Sequence, residues 1–138
     1  MIRRLAQLRR DRKGVSAVEF ALIAPVLIFM IVAVAQFGAL FYAHSALRNA
    51  VSEGARYATI YPRPTAAQII ARINANRATG NNGTYSTPTV VFAQDTATGY
   101  WRATVSMTYT TNVNFLLFTW PNVTLSYSRR AYVQAPPA

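Results

Sequence analysis

The chain has 138 residues, is 52% hydrophobic but only 13% charged, and carries a formal net charge of +10. That length holds one small domain at most, and a charged fraction about half that of ordinary soluble domains argues against a wholly solvated chain. The lack of cysteine excludes disulfides and thiolate metal sites.

The charge is concentrated. Arg3, Arg4, Arg9, Arg10, Arg12 and Lys13 precede Gly14 with only Asp11 opposing them, so this segment carries +5 of the +10. A nucleic-acid binder concentrates its charge on a folded face. Here the cluster sits beside an apolar run, which points to membrane topology and makes nucleic acid a disfavoured partner. Such a partner would need Arg102, Arg129 and Arg130 on one face. From Phe20 to Ala43 the only strongly polar side chain is Gln36. As a helix this stretch is about 36 Å long, against a hydrocarbon core of roughly 30 Å. Ala21 to Ala35 is apolar on every face, unlike the amphipathic core helix of a small domain. The positive-inside rule places the N-terminus in the cytoplasm and everything after about Ala43 outside it.

The helix is expected to continue past the membrane. Leu40, Leu47, Ala50, Val51, Gly54 and Ala58 share one stripe, and Pro62 and Pro64 end the helix near Tyr61. A second helix starts at Thr65, which forms capping-box spacing with Gln68. It runs through Ile69, Ile70 and Ile73 and stops near Arg77, before the loop Gly80-Asn81-Asn82-Gly83. Three strands follow. Thr89 to Ala93 is short and β-branched, and Asp95 to Gly99 is a turn. Tyr100 to Tyr109 alternates, with Trp101, Ala103, Val105, Met107 and Tyr109 on one face. Val123 to Val133 alternates at first, with Val123, Leu125 and Tyr127 together. The expected fold class is α+β: a long transmembrane helix continues into an exported domain, where a second helix covers a three-stranded, mainly antiparallel sheet. The expected organisation is a basic cytoplasmic leader at 1–14, the membrane helix and its extension at 15–61, and the small domain at 62–138.

Catalytic readings fail for want of residues. Beyond the span the chain offers one histidine, His44, and two acids, Glu53 and Asp95. No triad, carboxylate pair or metal cluster can be assembled from these, so neither an enzyme, nor a cofactor, nor a metal, nor a small-molecule substrate is expected. The informative segment is the junction Arg12-Lys13-Gly14-Val15-Ser16-Ala17-Val18-Glu19-Phe20. An acid at the edge of a membrane span costs free energy, so Glu19 reads as functional; the alternative is a carboxylate resting in the headgroups.

Glycine, four residues, then glutamate and an aromatic resembles the processing site of type IV prepilins, especially the Flp/Tad branch. The resemblance is closer to the TadE-like family. It rests on Ala17-Val18-Glu19-Phe20-Ala21, on Pro25, on the long apolar run, and on Asn49-Ala50-Val51-Ser52-Glu53-Gly54-Ala55-Arg56-Tyr57-Ala58. It covers about residues 9–58, with the basic leader residues Arg9, Arg10, Arg12 and Lys13 at its start. The resemblance implies a pilin-like minor pilin or pseudopilin of the tight-adherence pilus, held in the bacterial inner membrane. Its implied partners are a prepilin peptidase, other pilins and Tad pilus assembly proteins. Cleavage would fall between Gly14 and Val15. Glu19 would then pair with the new α-amino group of a neighbouring subunit and fix register. Pro25 lacks an N–H and would kink or loosen the helix; a harmless kink is the alternative. The globular part sets the chain apart from the short major Flp pilins and suggests an accessory component.

Two further functions stay open. One is an unprocessed single-pass anchor that recruits another exported or secretion-system component. The other is a secreted binding domain released by signal peptidase after Ala33-Val34-Ala35.

Overall fold

A computed structural model describes residues 12–78 and 83–135, with side chains from Gly14 onward. The leader residues Arg9 and Arg10, most of the expected Gly80–Gly83 loop and the tail from Pro136 lie outside the described residues.

Helix α1 (Arg12–Tyr57) is a single helix of 46 residues, about 69 Å long. Its surroundings change along its length. Val15, Phe20, Leu22, Ile23, Ile31 and Val34 are each more than half exposed, and the most apolar stretch of the helix buries none of its residues. From Ala43 onward one stripe is covered: Ala43, Leu47, Ala50, Val51, Ala55 and Ala58 are buried. A helix this apolar and this uncovered over its first half is a transmembrane helix. It ends at Tyr57, short of the expected Tyr61. The Ala58 amide still bonds the Gly54 carbonyl at 3.0 Å, but those of Thr59 and Ile60 bond the carbonyls three residues back, Arg56 and Tyr57, at 3.2 Å each. Proline disfavours the helical conformation for its predecessor, and the chain unwinds a turn ahead of Pro62.

Helix α2 (Ala66–Asn76) carries the expected capping box at Thr65. The Gln68 amide donates to Thr65 Oγ1 at 3.3 Å, and the Thr65 amide donates to Gln68 Oε1 at 2.9 Å. Ile69 and Ile73 are buried and Ile70 is half-buried.

The sheet has four strands where three were expected: β1 (Gly83–Tyr85), β2 (Thr89–Gln94), β3 (Trp101–Asn114) and β4 (Thr119–Val133). All pairings are antiparallel. The central strand β3 takes β1 and β2 along one edge and β4 along the other. β1 was missed because three residues are too few to show alternation. Its pairing with Tyr109–Thr111 defines it, and the Tyr85 ring lies 4.7 Å from that of Tyr109.

Ala103, Val105, Met107 and Tyr109 are buried on the inner face of β3, against α1 and α2, so the fold is a two-layer α+β arrangement. The β3–β4 ribbon runs on beyond β1, which ends its pairing at Thr111. A register shift between Thr111 and Val113 marks a bulge, where Asn122 has φ 54° and its amide donates to Asn112 Oδ1 at 2.9 Å.

Candidate functional site

The residues expected to act at the membrane lie on the uncovered half of α1. Arg12 and Lys13 fall in its first turn. Basic residues at a helix N-terminus oppose the macrodipole, so helix stability does not account for them there. Gly14, Val15, Glu19 and Pro25 are all exposed. A Cβ on Gly14 would meet nothing within 4 Å. Pro25 stands inside the continuous helix. Gln36 lines a groove of about 320 Å³ between α1 and the sheet, together with Ala39, Tyr85, Tyr109 and Asn112.

The acids weighed as catalytic candidates are both held by arginines. Asp95 Oδ2 accepts from Arg102 Nη1 at 2.9 Å, and its Oδ1 accepts the Ala97 amide at 3.0 Å in the β2–β3 turn. Gly99 closes that turn with φ 72°, a conformation that favours glycine. His44 is half-buried on α1, and among the described residues no three histidines or acids gather around a point. The three arginines weighed for nucleic acid divide between faces. Arg129 pairs with inward-facing Val105, whereas Arg102 and Arg130 belong to the outward register of Tyr132 and Thr104.

The segment Glu53 to Ala58 is a helix-docking device. Arg56 makes a bidentate pair with Glu53, Nε to Oε2 and Nη2 to Oε1, both at 2.8 Å. Arg72 of α2 reaches Glu53 Oε1 with Nη2 at 2.9 Å and Nε at 3.2 Å. The hydrogen bonds from Arg56, then those from Arg72, hold the Glu53 carboxyl at about 2. Arg72 also lies over the Tyr57 ring, 5.9 Å from its centre. Gly54 is where α2 comes closest: a Cβ there would collide with Cγ1 and Cδ1 of Ile73, a side chain with no exposed surface. Ala55 and Ala58 are buried beside it.

One group of residues escaped the sequence analysis. The β3–β4 turn, Phe115-Leu116-Leu117-Phe118, lies on α1. Phe115 stacks on Phe118 at 5.1 Å and sits 6.3 Å from Phe29 and 5.9 Å from Phe37; Phe118 is 6.3 Å from Phe29. The signal was present, since four consecutive apolar residues between Asn114 and Thr119 break the rule that turns are polar. What they touch could not be read from the sequence.

No curated protein and no solved structure matches the chain. A family model does, and it covers residues 14–56, the stretch that runs from Gly14 through the uncovered membrane helix to the Glu53–Arg56 pair. Over that stretch, as its residues suggested, the chain is similar to the TadE-like proteins.

Proposed function

We propose that the protein is a minor pilin or pseudopilin of a Tad/Flp-type pilus, with a structural and assembly role and no catalytic one. The observation that carries this reading is the coincidence of the family match at residues 14–56 with one unbroken helix. The first half of that helix is bare and apolar; its second half is the spine of a small folded domain. In this reading the basic leader stays in the cytoplasm and the domain is exported across the inner membrane. A prepilin peptidase cuts between Gly14 and Val15. Gly14 lies in the first turn of α1, where helix ends fray and glycine weakens the helix further, so exposing the bond to a protease costs little. Glu19, bare on α1, pairs with the α-amino group of a neighbouring subunit, and Pro25 eases the helix out of the bilayer into an assembly.

The test combines N-terminal sequencing with a Glu19→Ala variant. The mature chain should begin at Val15. Glu19→Ala should enter the membrane normally, because removing an acid lowers the cost of insertion, and should be processed, yet fail to support surface pili and adherence. Apolar packing alone slides easily between lipid-like surfaces and leaves subunit register undefined. Normal piliation with Glu19→Ala would overturn the register role. A chain that keeps Met1 in cells with active peptidase would favour the unprocessed anchor, and one beginning at Gln36 the secreted domain.

A further inference from the structure

The β3–β4 turn lies on the membrane-spanning part of α1, not on the part that the rest of the domain covers. Its contacts are Phe29 and Phe37, whereas the buried stripe of α1 starts at Ala43. Phe29 falls inside the apolar run Ala21–Ala35, where Met30 is 60% exposed, Ile31 61% and Val34 72%. Whatever medium surrounds those side chains also surrounds a turn packed on Phe29.

The turn is built for an apolar medium. Phe115 is buried against α1, but Leu116 is 68% exposed, Leu117 80%, Phe118 53% and Trp120 64%. Leu116 has φ 57°, a left-handed conformation usually taken by glycine or asparagine. A leucine in that place indicates that its side chain is wanted. Several of the polar groups around the turn are paired within the ribbon. The Phe115 amide donates to the Phe118 carbonyl at 2.8 Å, and the Leu117 amide donates to the Phe115 carbonyl. Thr119 donates to Asn114 Oδ1 at 2.5 Å, and the Asn122 amide to Asn112 Oδ1 at 2.9 Å. Unpaired polar groups are what the hydrocarbon region does not tolerate. The ribbon beyond Thr111 is two-stranded, which is marginal in water without an apolar surface to cover it.

We infer that Phe115-Leu116-Leu117-Phe118 and Trp120 form a second membrane contact, inserted into the leaflet on the domain's side of the bilayer, with lipid acyl chains as the occupant of their exposed faces. This also places the bilayer on α1. From Val15 to Ala43 the helix is about 43 Å long, more than a core of roughly 30 Å requires, so length alone leaves the boundary open. A turn between Phe37 and Phe29 puts the boundary near Gln36, with Phe29 about 10 Å deeper, the depth at which interfacial elements insert. Trp120 then lies toward the headgroups, where tryptophan is enriched. Counting back about 20 residues, the other boundary falls near Ala17, beside Glu19. The domain is thereby tied to the bilayer at two points and cannot swivel freely about α1.

The inference rests on α1 spanning the membrane, and the test separates the two. The chain has no cysteine, so single variants Ile31→Cys, Leu117→Cys and Thr96→Cys can each carry one environment-sensitive fluorophore. Thr96 is exposed in the β2–β3 turn, at the opposite end of β3. The full chain is placed in phosphatidylcholine nanodiscs with or without doxyl-labelled phosphatidylcholine. Labels at 31 and 117 should be quenched by the doxyl lipid and screened from aqueous iodide, and the label at 96 should show the reverse; Leu116→Cys should repeat the result at 117. A label at 117 quenched by iodide and not by lipid, with 31 still quenched by lipid, overturns the inference and leaves the span intact. A label at 117 screened from both also overturns it, since protein and not lipid then covers the turn. A label at 31 that lipid does not quench overturns the span and the inference with it.

Discussion

Glu53 is bonded by two arginines, one on its own helix and one on α2. Its carboxyl lies at about 2, well below the usual 4.5. A carboxyl depressed on folding stabilises the fold above its unfolded value and loses that contribution as pH falls toward its folded one. Thermal melts of the detergent-solubilised chain should therefore weaken between about pH 4.5 and 2. In Glu53→Gln that part of the pH dependence should vanish, and the midpoint at pH 7 should fall toward the wild type's acid value. Gly54 belongs to the same contact for a steric reason. Gly54→Val would drive two methyl groups into Ile73, and overpacking of this kind costs about 1–3 kcal/mol. Alanine at a helix-interior glycine ordinarily gains up to about 1 kcal/mol, so Gly54→Ala should show a smaller net loss. Chemical denaturation of the two variants beside wild type measures both effects. In sequence, Gly54 was legible as a member of the helix stripe, Glu53 as one of two acids beyond the span, and both as part of a familiar motif. Their physical roles depend on Arg72 and Ile73, 19 residues further along, and no spacing rule predicts which face of one helix meets the next.

Elements with local signals were legible nearly to the residue. The Thr65–Gln68 capping box needs only four consecutive residues, and it starts α2 where expected. Thr65→Ala should cost about 1 kcal/mol by leaving the Gln68 amide unpaired at the helix start, seen as a lower denaturation midpoint with the denaturant slope unchanged. The alternation of β3 was equally plain, since Ala103, Val105, Met107 and Tyr109 must share a face in any strand. Elements whose existence depends on a partner were not legible. β1 is a strand because β3 lies beside it. The β3–β4 ribbon runs on past the expected strand ends at Tyr109 and Val123, to Asn114 and Thr119, where Val113 and Phe115 are buried.

The proposed orientation of the molecule follows from charge asymmetry and not from folding. A reporter active only outside the cytoplasm, fused after Ala138, should be active, and a stably expressed but inactive fusion would reverse the topology. Sequence alone determined that a long apolar helix stands near the start, where it is flanked by arginines, how the next helix is capped, and which face of the main strand is apolar. These properties are set by neighbours a few residues apart, through helix rise, pleat and the cost of bare polar groups in lipid. Only the tertiary structure decided that Glu53 is shared between two helices, that the sheet has a fourth strand, and that Phe115 and Phe118 lie on Phe29. Those contacts join residues far apart in the chain. They form only when side-chain shapes on separately specified elements fit together, and periodicity carries no information about that fit.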